Sequence, residues 1–155
     1  MKIYETKDAR LIARLNKPVH DLHVTRAPEV FKPYDETAMT AFFEEIIQIE
    51  NHLFYVVENE DGHSAGYIWV EMKQSKETPF KYASSTLFVH QLSVNENERG
   101  KGYGRALLKH AEHIAKSHQI SSIQLDYWEF NVEANNFYKK QGFEPTRQHV
   151  IKHLS

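Results

Sequence analysis

Arg99-Gly100-Lys101-Gly102-Tyr103-Gly104 lies between an apolar, β-like run and a helix-period pattern, and its reading decides the fold. Glycines at 100, 102 and 104 let the backbone approach a ligand closely. Successive N–H groups at a helix N-terminus then present donors and positive dipole to an anion. The segment reads as a phosphate cradle. The common nucleotide templates do not fit it: nowhere does Gly, four residues, Gly-Lys-Ser/Thr occur. A dinucleotide fingerprint needs Gly or Ala three places after its second Gly, where this chain has Arg105 or Leu107 according to frame.

The spacing that does fit is Arg/Gln, two residues, Gly, one residue, Gly/Ala, met by Arg99, Gly102 and Gly104. Upstream, Leu87-Phe88-Val89-His90-Gln91-Leu92-Ser93-Val94 has strand character, and Asn95 to Glu98 bridge it to Arg99. Downstream, Asn131, Ala134, Phe137 and Tyr138 follow Asn-x-x-Ala-x-x-Phe-Tyr, and Gly142-Phe143 come next. These two signatures, in this order, resemble the GNAT superfamily of acyl-CoA N-acyltransferases. Specific motifs cover residues 87–143, and element order carries the resemblance to the rest of the chain.

Ahead of the motifs, residues 2–5 read as a short strand. A helical pattern follows from about 7 to 24, with Leu11, Leu15, Val19, Leu22 and His23 near one face, until Pro28 and Pro33 break it. Met39, Phe42, Phe43, Ile46 and Ile47 form an apolar stripe on a second helix at about 35–49. Leu53–Glu58 and Ser64–Glu71 flank an Asp61-Gly62 turn, a hairpin signal. Lys73 to Pro79 read as a loop. After the glycines, Tyr103, Ala106, Leu107, Ala111 and Ile114 mark the buried face of a helix reaching about Ser117. Residues 122–127 alternate as a strand, Val132 to Gln141 form a helix that Gly142 stops, and a last strand is expected at about 147–154. The order is βααβββαβαβ, an α/β fold. The resemblance implies a GNAT-type mixed, mostly antiparallel central sheet with helices on both faces.

With 155 residues, 41% hydrophobic and 26% charged, one domain over residues 1–155 with a real core is expected. No run approaches the roughly 20 apolar residues of a membrane span, and the N-terminus lacks a signal-peptide core, so a cytoplasmic location with no membrane partner is expected. The absence of cysteine excludes disulfides, a cysteine nucleophile and thiolate metal sites. A formal charge of −2 without a basic tract gives nucleic acid no electrostatic footing. Among the 10 histidines, neither His20/His23 nor His110/His113 has a carboxylate and third ligand at a zinc spacing, so no metal is expected. His110 and His113 read as solvated helix residues.

The resemblance implies acetyl-CoA as cofactor, CoA as product and an amine as acceptor. Its pantetheine arm would lie along main-chain groups of the strand around Leu92, Ser93 and Val94, and its pyrophosphate on amides of Arg99, Gly100, Lys101, Gly102, Tyr103 and Gly104. Tyr138 is by resemblance the acid for the leaving thiolate. A phenol near pKa 10 against a thiol near 8.5 makes full transfer uphill by about 2 kcal/mol, which favours hydrogen-bond donation. Packing beside Phe137 is the other role open to Tyr138. Asn131 matches a position that bonds the cofactor arm, and it would equally serve as a helix N-cap.

Some family members carry a glutamate on the fourth strand, where this chain has none. His90 has a suitable intrinsic pKa for the base, and it also suits a strand surface. Glu71 and Tyr127 are candidates for positioning water or substrate. His20, His23, Phe31 and Tyr34 would face the acceptor, a small-molecule amine or a protein or peptide amine, because ring faces and the nearby Glu29, Asp35 and Glu36 attract cations. Without cysteine or a nucleophile elbow, direct transfer in a ternary complex is expected. The same motifs would serve a non-catalytic acyl-CoA-binding sensor. Exposed sheet edges near the C-terminus would suit a homodimer.

Overall fold

A computed structural model describes all of residues 1–155. In chain order the elements are β1 (Lys2–Glu5), α1 (Ala9–Arg26), α2 (Glu36–Ile46), β2 (His52–Glu58), β3 (Ser64–Ser75), β4 (Ser84–Val94), α3 (Tyr103–Ser117), β5 (Ile123–Leu125) and α4 (Val132–Lys140). A short 3-10 turn, Glu96–Glu98, bridges β4 to the glycine loop. Side chains of Asp8 and Asp35 cap α1 and α2 by accepting from Leu11 N and Ala38 N. The sheet runs β1-β2-β3-β4-β5, antiparallel except for the parallel β4–β5 pair.

Both faces of this sheet are covered, so β2 and β3 are buried along most of their length rather than on alternate residues. Phe54, Val56, Tyr67 and Trp69 pack with Ile12, Ala13, Leu15 and Phe43 of α1 and α2. From the other face Tyr55, Val57, Ile68 and Val70 meet Leu107, Leu108, Ala111 and Ala115 of α3 and Tyr138 of α4. Each fully buried Val, Leu, Ile or Phe side chain among them contributes about 1.5–3 kcal/mol. No helix is long and apolar enough to cross a membrane.

The expected sequence of elements is present up to α4, and the differences have physical causes. Residues 147–154 form no strand: the chain after Phe143 takes no regular structure, and Val150, Ile151 and Leu154 are exposed. β3 runs on to Ser75 and pairs with β4 from Ser84, which narrows the expected loop. α1 buries Ala9, Ile12, Ala13, Leu15 and Asn16 instead of a face through Val19 and Leu22, since its N-terminal half lies on the sheet. Only Phe43 is buried in α2, with Phe42 at the rim. His110 is not solvated as expected: its Nε2 is buried without a partner and its ring stands edge-on to Tyr55.

Candidate functional site

The site begins with a one-residue irregularity. Across β3 and β4, Trp69 pairs with Gln91 and Val70 with Val89, which leaves His90 as the extra residue of a β-bulge. Before it Leu87 and Val89 belong to the α3/α4 core, and after it Leu92 and Val94 do, so the side-chain parity shifts from odd to even. Main-chain groups shift with it. Leu87 N donates to Ser122 O on the β5 side, and past the bulge that edge passes to Leu92 and Val94. β5 pairs with β4 only from Leu87 to Val89, leaving His90 to Val94 with no neighbour on that side. Ser93 instead faces the α1 side, its hydroxyl buried and unpartnered.

This open edge leads directly to the glycine loop. Gly100 (φ 79°) and Gly102 (φ 88°) adopt left-handed backbone, which a side chain would strain. Gly104 is needed for another reason: a Cβ there would stand 3.2 Å from Phe137 Cζ. Six consecutive amides, Gly100 to Arg105, find no acceptor within the protein, and no side chain caps α3. Arg99 is exposed beside them. Glu98 braces the loop from beneath, accepting from Asn59 Nδ2 at 2.8 Å and Lys101 Nζ at 3.1 Å. Those hydrogen bonds, Asn59's first, hold its carboxyl below the usual range. Its bracing role depends on Asn59, 39 residues away, and was not foreseen from sequence.

At the bulge His90 stacks on Trp69 at 4.4 Å, and its Nε2 lies 2.7 Å from Glu71 Oε1. A carboxylate only accepts, so Nε2 carries the proton and the Nδ1 lone pair of neutral His90 is free. His52, absent from the sequence expectations, stacks on His90 at 5.5 Å, with its Nε2 3.7 Å from Glu71 Oε2. Trp69 Nε1 donates to His52 Nδ1 at 3.0 Å. Neutral His52 therefore shows a proton toward Glu71, which does not suit a cation held among His52, Glu71 and His90. Burial, partly opposed by Glu71, keeps the His52 imidazole below its ordinary pKa.

Tyr138 is buried in α4, stacked on Tyr127 at 5.9 Å and edge-on to Phe143. Burial pushes its phenol up to about 12, and the hydroxyl has no protein partner. Tyr127 spends its own hydroxyl on Asn135 Oδ1 at 2.6 Å. Asn131 takes the capping role, its Oδ1 accepting from Ala134 N at 3.0 Å, while Nδ2 stays unengaged.

The acceptor candidates divide. His23 stacks on Phe31 at 4.9 Å, Phe31 meets Trp128 at 5.2 Å, and Phe130 closes on His23 at 5.9 Å, a ring cluster built from α1, its following loop and the β5–α4 segment. His20 stands edge-on to Phe31. Burial, then His20, holds His23 below its usual pKa. Tyr34 also lies against His20, at 6.1 Å, with its hydroxyl donating to Ala13 O at 2.6 Å. Glu71 joins His90 rather than the rings.

Residues 17–143 match the sequence profile of the Acetyltransferase (GNAT) family. The chain belongs to that family. A GNAT fold is also what solved structures share with it: the BH1408 protein from Bacillus halodurans, as a tetramutant, is 28% identical, with a TM-score of 0.93 over 99% of this chain and 100% of that one. AAC(6')-Iy, in complex with the bisubstrate analog CoA-S-monomethyl-acetylneamine, has a TM-score of 0.74 at 15% identity, over 99% and 97% of the two chains. An uncharacterized N-acetyltransferase of Lactobacillus delbrueckii subsp. lactis is 25% identical over 91 residues, 59% of this chain. That match spans about half, 51%, of the relative's length. Within this GNAT chain Trp128 and Phe130, which sequence reading passed over, carried a usable signal in the aromatic run after β5.

Proposed function

We propose that this GNAT chain transfers the acetyl group of acetyl-CoA to a primary amine by direct attack in a ternary complex. The observation that carries it is continuity: the free β4 edge of Leu92 and Val94 runs into six unpartnered amides at the N-terminus of α3. An extended, amide-bearing arm suits the edge and a diphosphate suits the amides. The CoA-containing analog bound by AAC(6')-Iy, a protein of the same fold, supports this cofactor class.

Acetyl-CoA would supply the activated acyl group as a thioester. Leu92 and Val94 hold the arm through main-chain groups, joined by Asn131 through its free Nδ2, while Arg99 and the amides of Gly100 to Gly104 hold the phosphates. His90 accepts the amine's proton on Nδ1, and Glu71, bound to Nε2–H, stabilises the imidazolium that results. Tyr138 donates a hydrogen bond to the sulfur. With its phenol near 12, it retains its proton against a thiol near 8.5. The His23, Phe31, Trp128 and Phe130 rings favour a cationic amine, which must shed a proton before attack. The aminoglycoside-derived acetylneamine part of the AAC(6')-Iy ligand supports a small-molecule acceptor.

Calorimetric titration of the chain and of Gly102→Glu with acetyl-CoA, ATP and NADH, followed by thiol release over a panel of amines, tests the reading. Micromolar binding of acetyl-CoA alone, lost in the variant, with turnover of an amine is expected. Absence of binding overturns the cofactor. Binding without turnover on any amine would make the chain an acyl-CoA sensor.

A further inference from the structure

His52 takes no part in moving the proton, yet both of its ring nitrogens are committed. It stands directly opposite Glu71 in the β2–β3 pairing, so the two side chains are neighbours on one face of the sheet. Its Nδ1 accepts from Trp69 Nε1 at 3.0 Å, and Trp69 is itself buried edge-on to Phe43. That fixed indole N–H leaves the neutral imidazole its proton on Nε2, 3.7 Å from Glu71 Oε2. At this length the contact is electrostatic rather than a hydrogen bond, and contacts around a base are often long until substrate is bound. The His52 side chain is 12% exposed against 24% for His90, so little water competes for its N–H.

Glu71 needs such a hold. Its side chain is 23% exposed, and Lys73 follows two residues along the same strand, its Nζ over the Phe88 ring. Water and a lysine both draw a carboxylate outward. The bond from His90 Nε2 engages Oε1 and leaves Oε2 to turn toward them. The His52 N–H opposes that turn from the less exposed side. Near-parallel stacking of His90 on His52 at 5.5 Å and on Trp69 at 4.4 Å keeps the two imidazoles aligned.

We propose that His52 is a positioning residue: its Nε2–H, fixed by Trp69, holds Glu71 Oε2 inward, so that Oε1 stays on His90 Nε2 and the Nδ1 of His90 stays the bare, basic nitrogen. The inference rests on the reading of His90 as the base.

Two variants separate the roles of the His52 nitrogens. Glutamine at this position carries an amide N–H about as far out as imidazole Nε2, whereas asparagine can still accept from Trp69 but is too short for Glu71. Long-range proton–nitrogen correlation NMR on isotope-labelled histidines, above the imidazole pKa, reads the His90 tautomer with no substrate present. Thiol release with an amine gives kcat, and calorimetry gives acetyl-CoA affinity. Wild type and His52→Gln should show His90 as the Nε2–H tautomer alone, with kcat within about three-fold of each other. His52→Asn should show mixed tautomers and a kcat about ten-fold lower, with melting temperature and acetyl-CoA affinity nearly kept. An unchanged tautomer in His52→Asn overturns the inference, and so does a His52→Gln variant as impaired as His52→Asn. A changed tautomer with unchanged kcat upholds the hold on Glu71 and overturns His90 as the base instead. A wild type that turns over no amine overturns the reading of the site, while the tautomer contrast still decides for or against His52.

Discussion

Glu71 Oε1 lies 2.7 Å from His90 Nε2, across the pair of strands that a bulge has put out of step. That contact fixes the ring's tautomer and leaves Nδ1 as its basic atom. His90→Gln should lower kcat by roughly ten- to a thousand-fold with acetyl-CoA affinity nearly kept. Stopped assays of thiol release beside calorimetry read both quantities. An unchanged kcat would assign His90 to packing on Trp69.

Tyr138→Phe separates chemistry from packing cleanly, because the hydroxyl has no protein partner to lose. The melting temperature should stay within a few degrees of wild type while kcat falls about ten-fold or more. If the rate survives, the ring serves the core alone.

Gly102 and Gly104 should respond differently to alanine. A Cβ at Gly102 meets nothing within 4 Å, so the cost is the left-handed backbone, about 1–2 kcal/mol. At Gly104 the backbone is ordinary, but the Cβ presses on Phe137 at 3.2 Å and disturbs the helix that carries Tyr138. Urea denaturation and acetyl-CoA titration of both variants should therefore show Gly104→Ala impairing kcat, and Gly102→Ala mainly stability and binding.

His23, His52 and His110 are all held below the ordinary imidazole pKa, burial being the chief cause in each. The unfolded chain then takes up protons more readily as pH falls below about 6.5. Their contribution is complete above that value and declines as pH drops through it toward the depressed native values. Melting temperature should fall between about pH 7.5 and about pH 5.5, and less steeply in His110→Leu, which removes one of the three groups. A parallel decline in that variant would remove His110 from the cause.

Asn16 is buried in α1, with Nδ2 donating to Tyr67 Oη at 2.9 Å and bonded also to Gln91 of β4. Asn16→Ala should destabilise the protein by about 1–3 kcal/mol in chemical denaturation, since it strips a buried network that links the first helix to β4. A loss below this range would show that Tyr67 and Gln91 satisfy each other.

Local signals made much of this legible. The glycine spacing located the turn into α3, and Asp61-Gly62 located the β2–β3 hairpin, because each depends on residues adjacent in sequence. What was not legible depends on register and on distant partners. The bulge at His90 is a mismatch between two strands, and no property of residue 90 announces it. His52 joins Glu71 and His90 only once β2, β3 and β4 are aligned. The expected strand at 147–154 has the right composition, but a strand exists only where another backbone meets it, and no backbone of its own chain is paired with it.

The extra residue in β4 also divides labour along one strand. Upstream of it the odd positions feed the core, downstream the even ones do, and His90 belongs to neither series. Deleting a single codon there would merge the two series into one, leaving Leu92 and Val94 in phase with Leu87 and Val89, and would remove the bulge itself. Substitution, by contrast, can retune the basic group without moving the backbone beside it. Exchange of residue 90 thus keeps the irregularity in β4, and only its loss would make the strand regular throughout.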